Sequence, residues 1–216
     1  MIETHLPKKE QEGKIDFILK AAQKRLGLYG YEKTTMQEIA ADISMSKAAL
    51  YYYFPDKESI FRAVVENEQT EFYLQLERRI AELTEADEMI MELVELRHTL
   101  FRKFWNLSKF RLSDNNNMKP LLKDLYDRMR EIEKQILTTI FLKGKESGIF
   151  QFEDASELAL LFSDLLQGIR IMAMKRISRL EMTTEENDQL LKMLRQATKL
   201  FINGLKYNKI LQPLNK

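Results

Sequence analysis

One stretch, residues 44–57, constrains the fold more than any other part of the chain. It reads SMSKAALYYYFPDK. Ser46 is a favoured N-cap residue because its hydroxyl accepts a backbone N–H from the helix that follows it. Pro55 ends that helix because proline disfavours helical geometry in the residue before it, and Asp56 is suited to start the next one. The stretch therefore predicts a turn, a helix of about two turns and an abrupt stop.

The residues before this stretch predict another short helix that packs against it. Ile39 and Ile43 are four positions apart and therefore lie on one helical face. Ala40 is small enough for a crossing helix to approach closely, and Leu50 can close the same small core. Two short helices joined by a tight turn form a helix-turn-helix, whose second helix enters the major groove of DNA.

Residues 30–61 closely resemble the DNA-binding signature of the TetR (tetracycline-repressor) family of bacterial regulators. The remainder of the chain resembles the family only in its length and helical character. One departure is Ser44, where the family usually has glycine, and a positive φ costs a non-glycine residue about 1–2 kcal/mol. The matching positions are Gly30, Tyr31, Thr34, Thr35, Ile39, Ala40, Ser46, Leu50, Tyr51, Tyr53, Phe54, Lys57 and Glu58.

The resemblance implies which residues contact DNA. Lys47, Ala48 and Tyr52 match groove-facing positions, where a lysine suits guanine, and a methyl group or an aromatic ring suits the thymine methyl. Thr35 and Gln37 match positions for a phosphate contact and a base-edge contact. Tyr51, Tyr53 and Lys57 match positions that contact the DNA backbone. The full predicted set is Thr35, Gln37, Ser46, Lys47, Ala48, Ala49, Tyr51, Tyr52, Tyr53 and Lys57.

Charge alone does not predict DNA binding. Residues 1–60 contain nine basic and nine acidic residues, whereas nucleic-acid-binding domains usually carry a basic excess. A helical module that binds a small molecule but not DNA therefore remains an alternative, and the serine at position 44 leaves it open as well.

Composition indicates a helical protein with a substantial core. Of 216 residues, 44% are hydrophobic and 31% charged, and seven glycines and four prolines leave little room for strands and turns. The absence of cysteine excludes disulfides and thiolate metal sites. We expect no secretory signal and no membrane span, because the N-terminal segment is polar and no apolar stretch is long enough. The expectation is therefore a cytoplasmic, all-α protein with no membrane partner.

Apolar residues at intervals of three and four positions predict six longer helices. Their predicted ranges are 10–28, 57–83, 86–110, 120–144, 154–177 and 185–206. In the TetR family, the first of them completes a three-helix DNA-binding domain. We therefore expect a helix-turn-helix domain at residues 1–56 and a larger helical domain for effector binding and dimerisation at residues 57–216.

Two sets of residues in the larger domain are candidates for binding partners. A cavity between the helices at 86–110, 120–144 and 154–177 is expected to hold an apolar or amphipathic effector. Its candidate lining, with His98 as a polar anchor, is His98, Phe101, Phe104, Trp105, Tyr126, Met129, Phe162 and Leu166. The family resemblance implies a four-helix dimer interface, with candidates Leu158, Leu161, Leu165, Ile169, Met172, Leu191, Leu194, Thr198 and Phe201.

Catalytic chemistry has little support in the sequence. Glu95 and His98 form one Glu-x-x-His motif, whereas di-iron helical bundles use two such motifs and two further glutamates. No P-loop or dinucleotide-binding fingerprint is present. We therefore predict no enzyme, metal or cofactor, with a metal-dependent helical-bundle enzyme as the remaining alternative. The leading interpretation is a dimeric repressor that binds a palindromic operator and is released by a small molecule.

Overall fold

The computed structural model describes residues 8–103, 119–177 and 182–207, and side chains over 13–102, 127–177 and 182–206. None of the described residues forms a strand, which confirms the all-α prediction. Within the described ranges, no helix has the length and apolar character needed to cross a bilayer. The helices are α1 (Lys8–Tyr29), α2 (Met36–Asp42), α3 (Lys47–Tyr53), α4 (Lys57–Ala81), α5 (Ala86–Lys103), α6 (Lys119–Glu146), α7 (Ala155–Arg176) and α8 (Thr184–Tyr207).

The predicted helices are all present, with several ends shifted by one or two residues, and the shift at Gly144 reveals a packing role for that residue. Gly144 was expected to end its helix, but α6 continues to Glu146. A Cβ added at Gly144 would lie only 2.2 Å from Cδ2 of Phe150. Glycine is therefore needed here because the buried Phe150 ring packs directly against the helix backbone. The predicted end of α5 at residue 110 lies outside the described residues.

The described residues divide into two compact units, one up to Thr70 and one from Glu71 onwards. The division falls inside α4, so this helix contributes to both units. The domain boundary expected between residues 56 and 57 coincides with the start of α4 and stays a prediction.

The first unit has a small apolar core and one group of ion pairs that joins two of its helices. α1 packs against α2, and α2 packs against α3. Arg25 of α1 binds both carboxylate oxygens of Asp42, through Nε at 2.6 Å and Nη2 at 2.8 Å, and its Nη1 lies 3.2 Å from Glu38. This group ties α1 to α2. The fully buried core side chains are Ile18, Ala22, Leu26, Ile39, Leu50, Ile60, Phe61 and Val65.

The second unit is a helical bundle held by contacts between distant parts of the chain. α5 packs against α6 and α8, and α7 packs against both α6 and α8. Phe162 lies at the centre of an aromatic core, with its ring 6.0 Å from Phe141 and 4.8 Å from Phe201. Arg195 Nε donates to Glu95 Oε1 at 2.8 Å across 100 residues of sequence. α8 therefore completes a bundle that begins with α4 and α5.

Candidate nucleic-acid interface and effector region

The turn between α2 and α3 contains a residue in the left-handed region. Ser44 has a φ of 52°. Its N–H donates to Ala41 O at 3.1 Å, and the N–H of Met45 donates to Ala40 O at 2.9 Å. These two bonds form a Schellman motif, which usually uses glycine at this position. The strain expected for the serine is observed, and the turn keeps the required hydrogen bonds.

The sequence fixes both the start and the orientation of α3. Ser46 is its N-cap, and the Ser46 hydroxyl accepts a hydrogen bond from Ala49 N at 3.1 Å. Phe54 is the C-cap, with an extended φ of −136° before Pro55. Leu50 is fully buried, so the opposite side of α3 faces outwards.

The outward face of α3 presents one cation, one methyl group and two phenols. Lys47 and Tyr51 are one turn apart, as are Ala48 and Tyr52, and all four are exposed. Tyr52 is 71% exposed, so its ring is accessible on this face. The Lys47 ammonium lies 5.7 Å from the centroid of the Tyr51 ring. Tyr53, half-buried, meets the Tyr52 ring edge-on.

Residues flanking α3 are fixed by local hydrogen bonds. Thr35 and Glu38 form a capping box at the start of α2, and Thr35 and Gln37 are exposed there. Lys57 Nζ donates to the carbonyl of Tyr31 at 2.9 Å and lies 4.0 Å from the centroid of its ring. Burial lowers the pKa of Lys57 and raises that of Tyr31 to about 12. This contact ties the loop after α1 to the start of α4.

The charges of the first unit are unevenly distributed, although their total is neutral. A hydrogen bond from Arg25 lowers the pKa of Asp42, and hydrogen bonds from Thr35 lower that of Glu38, which Arg25 lowers further. Both carboxylates are therefore engaged within the protein. Lys47 belongs to no ion pair in the part of the chain that the structure describes, so its charge remains on the outward face of α3.

A braced pair of short helices with an exposed second helix is the geometry of a helix-turn-helix DNA-binding protein. Residues 18–64 match the family described as "Bacterial regulatory proteins, tetR family". The chain is also 33% identical to a transcriptional regulator from Cytophaga hutchinsonii, with a TM-score of 0.80 over 90% of this chain and 99% of that one. The protein belongs to the TetR family of DNA-binding transcriptional regulators, as the resemblance predicted.

Other relatives match more narrowly. The biofilm operon icaADBC HTH-type negative transcriptional regulator IcaR of Staphylococcus epidermidis is 45% identical over 38 residues, which is 18% of this chain and 20% of IcaR. The fold also matches AibR, solved with isovaleryl coenzyme A and operator DNA, at a TM-score of 0.58 and 23% identity over 84% of this chain and 97% of that one. The match to IcaR thus covers less than a quarter of either protein.

The predicted effector-binding residues fall into two groups. Phe104 and Trp105 lie outside the described residues, and Tyr126 lies in α6 with its side chain outside the described set. The remaining five are buried or half-buried in the second unit: His98, Phe101, Met129, Phe162 and Leu166. Among the described residues, no group of three or more His, Asp or Glu side chains is arranged to hold a metal ion.

The sequence analysis missed buried polar residues near His98. Arg170 in α7 is 9% exposed, and Asn187 in α8 is 4% exposed. Arg170 interrupts the apolar run LLQGIRIMAM. A charged residue within such an apolar run is the signal that could have identified Arg170 from the sequence, because arginine is almost never fully buried without a partner.

The predicted dimer residues do not all lie on the surface. Leu161, Leu165 and Met172 of α7 are exposed. Leu194 and Thr198 of α8 are fully buried, and the Thr198 hydroxyl donates to Leu194 O at 2.8 Å. They face the core of their own subunit because the inner side of α8 packs against α5 and α7. The other candidates are half-buried: Leu158, Ile169, Leu191 and Phe201.

Proposed function

We propose that this regulator is a homodimeric, ligand-responsive repressor. Residues 1–56 form its DNA-binding domain and residues 57–216 its effector-binding and dimerisation domain. The observation that carries the proposal is the outward face of α3, where Lys47, Ala48, Tyr51 and Tyr52 are exposed together. A regulator that acts on the chromosome of a bacterium works in the cytoplasm.

The outward face of α3 has the chemistry to read bases in the major groove. The Lys47 ammonium donates to guanine O6 and N7, and Ala48 and the Tyr52 ring contact thymine methyl groups. Contacts to phosphate set the position of the protein but carry no sequence information. The proposal assigns these to Thr35, Tyr51, Tyr53 and Lys57, with Gln37 at a base edge.

The exposed apolar residues of α7 and α8 support a dimer. Leu161, Leu165 and Met172 of α7 and Leu200 of α8 are exposed, with Leu200 at 74%. Pairing these helices with their copies removes that apolar surface from water. A two-fold dimer presents two copies of α3, and its operator is a palindrome with half-sites about 34–36 Å apart.

Repression and release by a ligand rest on two relatives. IcaR is a negative regulator, and AibR was solved with both a small molecule and operator DNA. A ligand releases DNA only if it binds the conformation with low DNA affinity more tightly than the DNA-bound one. The effector of this protein must therefore discriminate between two arrangements of the dimer.

DNA binding is tested by selecting duplexes from a random pool and titrating the enriched sequence by fluorescence anisotropy at several salt concentrations. We expect a palindromic sequence whose affinity falls as salt rises. Lys47→Ala should cost about 1–3 kcal/mol of binding free energy and relax the preference at one base pair. Tyr52→Ala should relax the preference at a thymine.

Lys175→Ala is the matched control, because this lysine is exposed on α7 in the second unit. Its affinity and sequence preference should equal those of the wild type. Equal losses in Lys47→Ala and Lys175→Ala would mean that binding is nonspecific. The absence of any enriched sequence would instead favour a ligand-binding module without DNA binding.

The dimer is tested by sedimentation velocity. Leu161→Arg, on the exposed apolar face of α7, should convert dimers into monomers. Gln167→Arg, exposed on the same helix, should leave the dimer intact. A dimer that survives Leu161→Arg unchanged would rule out this face as the interface.

A further inference from the structure

A buried polar cluster lies inside the second unit. Its central members come from three helices: His98 from α5, Arg170 from α7 and Asn187 from α8. They are 3%, 9% and 4% exposed. Arg97, Glu133 and Ser163 adjoin them, and we call these six residues the polar cluster.

The polar cluster contains more positive than negative charge. Arg97 Nη2 donates to Glu133 Oε2 at 2.6 Å, and the Ser163 hydroxyl donates to Glu133 Oε1 at 3.2 Å. Glu133 is also the carboxylate whose charge acts on Arg170. The carboxylate of Glu133 thus lies near both guanidinium groups. Nε and Nη2 of Arg170 are not hydrogen-bonded to it, and a buried charge without a close counter-charge is costly, so a negative charge at this edge would stabilise Arg170.

One edge of a buried guanidinium group is without a hydrogen-bond partner in the described part of the chain. Nε and Nη2 of Arg170 are buried and have no hydrogen-bond partner among the described side chains. His98 and Asn187 lie beside it and are close enough to each other for the Asn187 amide to raise the pKa of His98. Nε and Nη2 form one edge of the guanidinium group, which matches the two oxygens of a carboxylate. In the first unit, the same edge of Arg25 binds Asp42 in this way.

His98 adds a hydrogen-bond donor without adding charge. Burial and the charge of Arg170 lower the pKa of His98 to about 4, so the imidazole is neutral at neutral pH. A neutral imidazole donates through one nitrogen and accepts through the other. Nδ2 of Asn187 donates to Asp188 Oδ1 at 3.2 Å, so Asn187 presents its Oδ1 to the polar cluster as an acceptor.

An apolar surface continues from the polar cluster. Phe162, Leu166 and Arg170 lie one turn apart on the buried face of α7. The Phe101 ring stacks against His98 with centroids 6.5 Å apart. Arg170 therefore continues the buried apolar face of α7, and an apolar ring lies against His98, which is the mixture of polar and apolar groups found in sites for ligands with one polar end.

We propose that the polar cluster binds the carboxylate of a small monocarboxylic acid with an apolar body. Arg170 holds the carboxylate edge-on, and the N–H of the neutral His98 ring donates a further hydrogen bond. The two oxygens of a carboxylate match the two donors on this one guanidinium edge. This inference rests on the proposed response to an effector and specifies the chemical class of that effector.

The test uses the full-length protein without DNA. Straight-chain carboxylates from butanoate to dodecanoate and the matching primary alcohols are titrated by calorimetry. We expect saturable binding of at least one carboxylate, with its alcohol weaker by about tenfold or more. Arg170→Met should remove this preference. Its thermal midpoint should not fall, because the Arg97–Glu133 pair is then electrically balanced.

Two further variants make the result specific. Arg176→Met, exposed at the end of the same helix, should bind as the wild type does. Arg170→Lys keeps the charge but loses the two-pronged edge, so its carboxylate binding should be intermediate. Carboxylates that bind no better than alcohols, or a preference that survives Arg170→Met, would overturn the inference.

The outcome is independent of the DNA titration. Failure of the carboxylate preference alongside a specific operator would leave the repressor in place with another class of effector. Carboxylate binding without any selected DNA sequence would support the inference and overturn the proposed repressor.

Discussion

Arg25 in the first unit and Arg170 in the second use the same chemical group in opposite ways. Nε and Nη2 of Arg25 bind Asp42 at 2.6 and 2.8 Å, and the partner is 17 residues away. The same atoms of Arg170 are buried with no partner among the described side chains. The first unit thus uses its charges to fix its own shape, whereas the second retains buried charge that can bind a ligand.

The largest difference between the two arginines is expected in the free energy of unfolding when the carboxylate beside each one is removed. Glu133→Gln removes the carboxylate that Arg97 binds at 2.6 Å and whose charge acts on Arg170. Breaking a fully buried pair costs about 3–5 kcal/mol of unfolding free energy, and this is an upper bound here because the two side chains are 15% and 18% exposed. Asp42→Asn should cost about 1 kcal/mol or less, because Asp42 is solvent-exposed.

Urea denaturation of both variants measures this difference. Glu133→Gln combined with Arg170→Met should regain part of the lost stability, because the buried cation of Arg170 is then removed together with the carboxylate. Equal losses in Glu133→Gln and Asp42→Asn would contradict the contrast between the two units.

The second-largest difference between the units is expected in how their stability depends on pH. The folded-state pKa of His98 is lowered from 6.5 to about 4, chiefly by burial and then by Arg170, while Asn187 opposes the shift. Between these values the unfolded chain binds a proton that the folded protein does not. Stability is therefore full above pH 6.5 and falls as the pH approaches 4, by up to about 3 kcal/mol.

The pH effect is measured as the difference between wild type and His98→Gln. In the first unit, Asp42 has a pKa lowered from 3.8 by Arg25, so its contribution is lost only at lower pH, as the carboxylate protonates. The contributions of His98 and Asp42 to stability are therefore lost over different pH ranges. A wild-type protein that loses no more stability than His98→Gln between pH 6.5 and 4 would show that His98 is not held neutral.

Packing in the second unit should be sensitive to a single methyl group. Gly144→Ala places a Cβ 2.2 Å from the Phe150 ring, and overpacking of this kind costs about 1–3 kcal/mol. Gly204→Ala is the control, because nothing lies within 4 Å of its added Cβ. It should stabilise α8 slightly, since alanine favours helices over glycine. Thermal midpoints of the two variants should move in opposite directions.

The smallest effects are expected in the turn before α3. Ser44→Gly should stabilise the first unit by about 1 kcal/mol, because glycine accepts positive φ without strain. Ser46→Ala, two positions later, should destabilise it by about 1 kcal/mol through loss of the N-cap. A destabilised Ser44→Gly variant would show that the serine side chain has a role beyond its backbone geometry.

The sequence predicted the first unit well because its signals are local. The Ser46 cap, the stop at Pro55 and the inward side of Leu50 each depend on neighbours within a few positions. The polar cluster was missed because it needs helices that are far apart in sequence, such as Arg97 with Glu133, 36 positions later. Periodicity also could not assign Leu194 to the core or to the dimer interface, since α8 has apolar residues on both its buried and exposed sides.

The ion pair between Glu95 and Arg195 has a consequence for the order of events during protein synthesis. Its partners are separated by 100 residues, which a ribosome adds in about 5–20 s. The hydrogen bonds that shape α2 and α3 join residues that leave the ribosome almost together. The nascent chain can therefore form α2 and α3 while the bundle behind them still lacks α8. During translation, the second unit is the part that exposes unfinished apolar surface to chaperones and proteases.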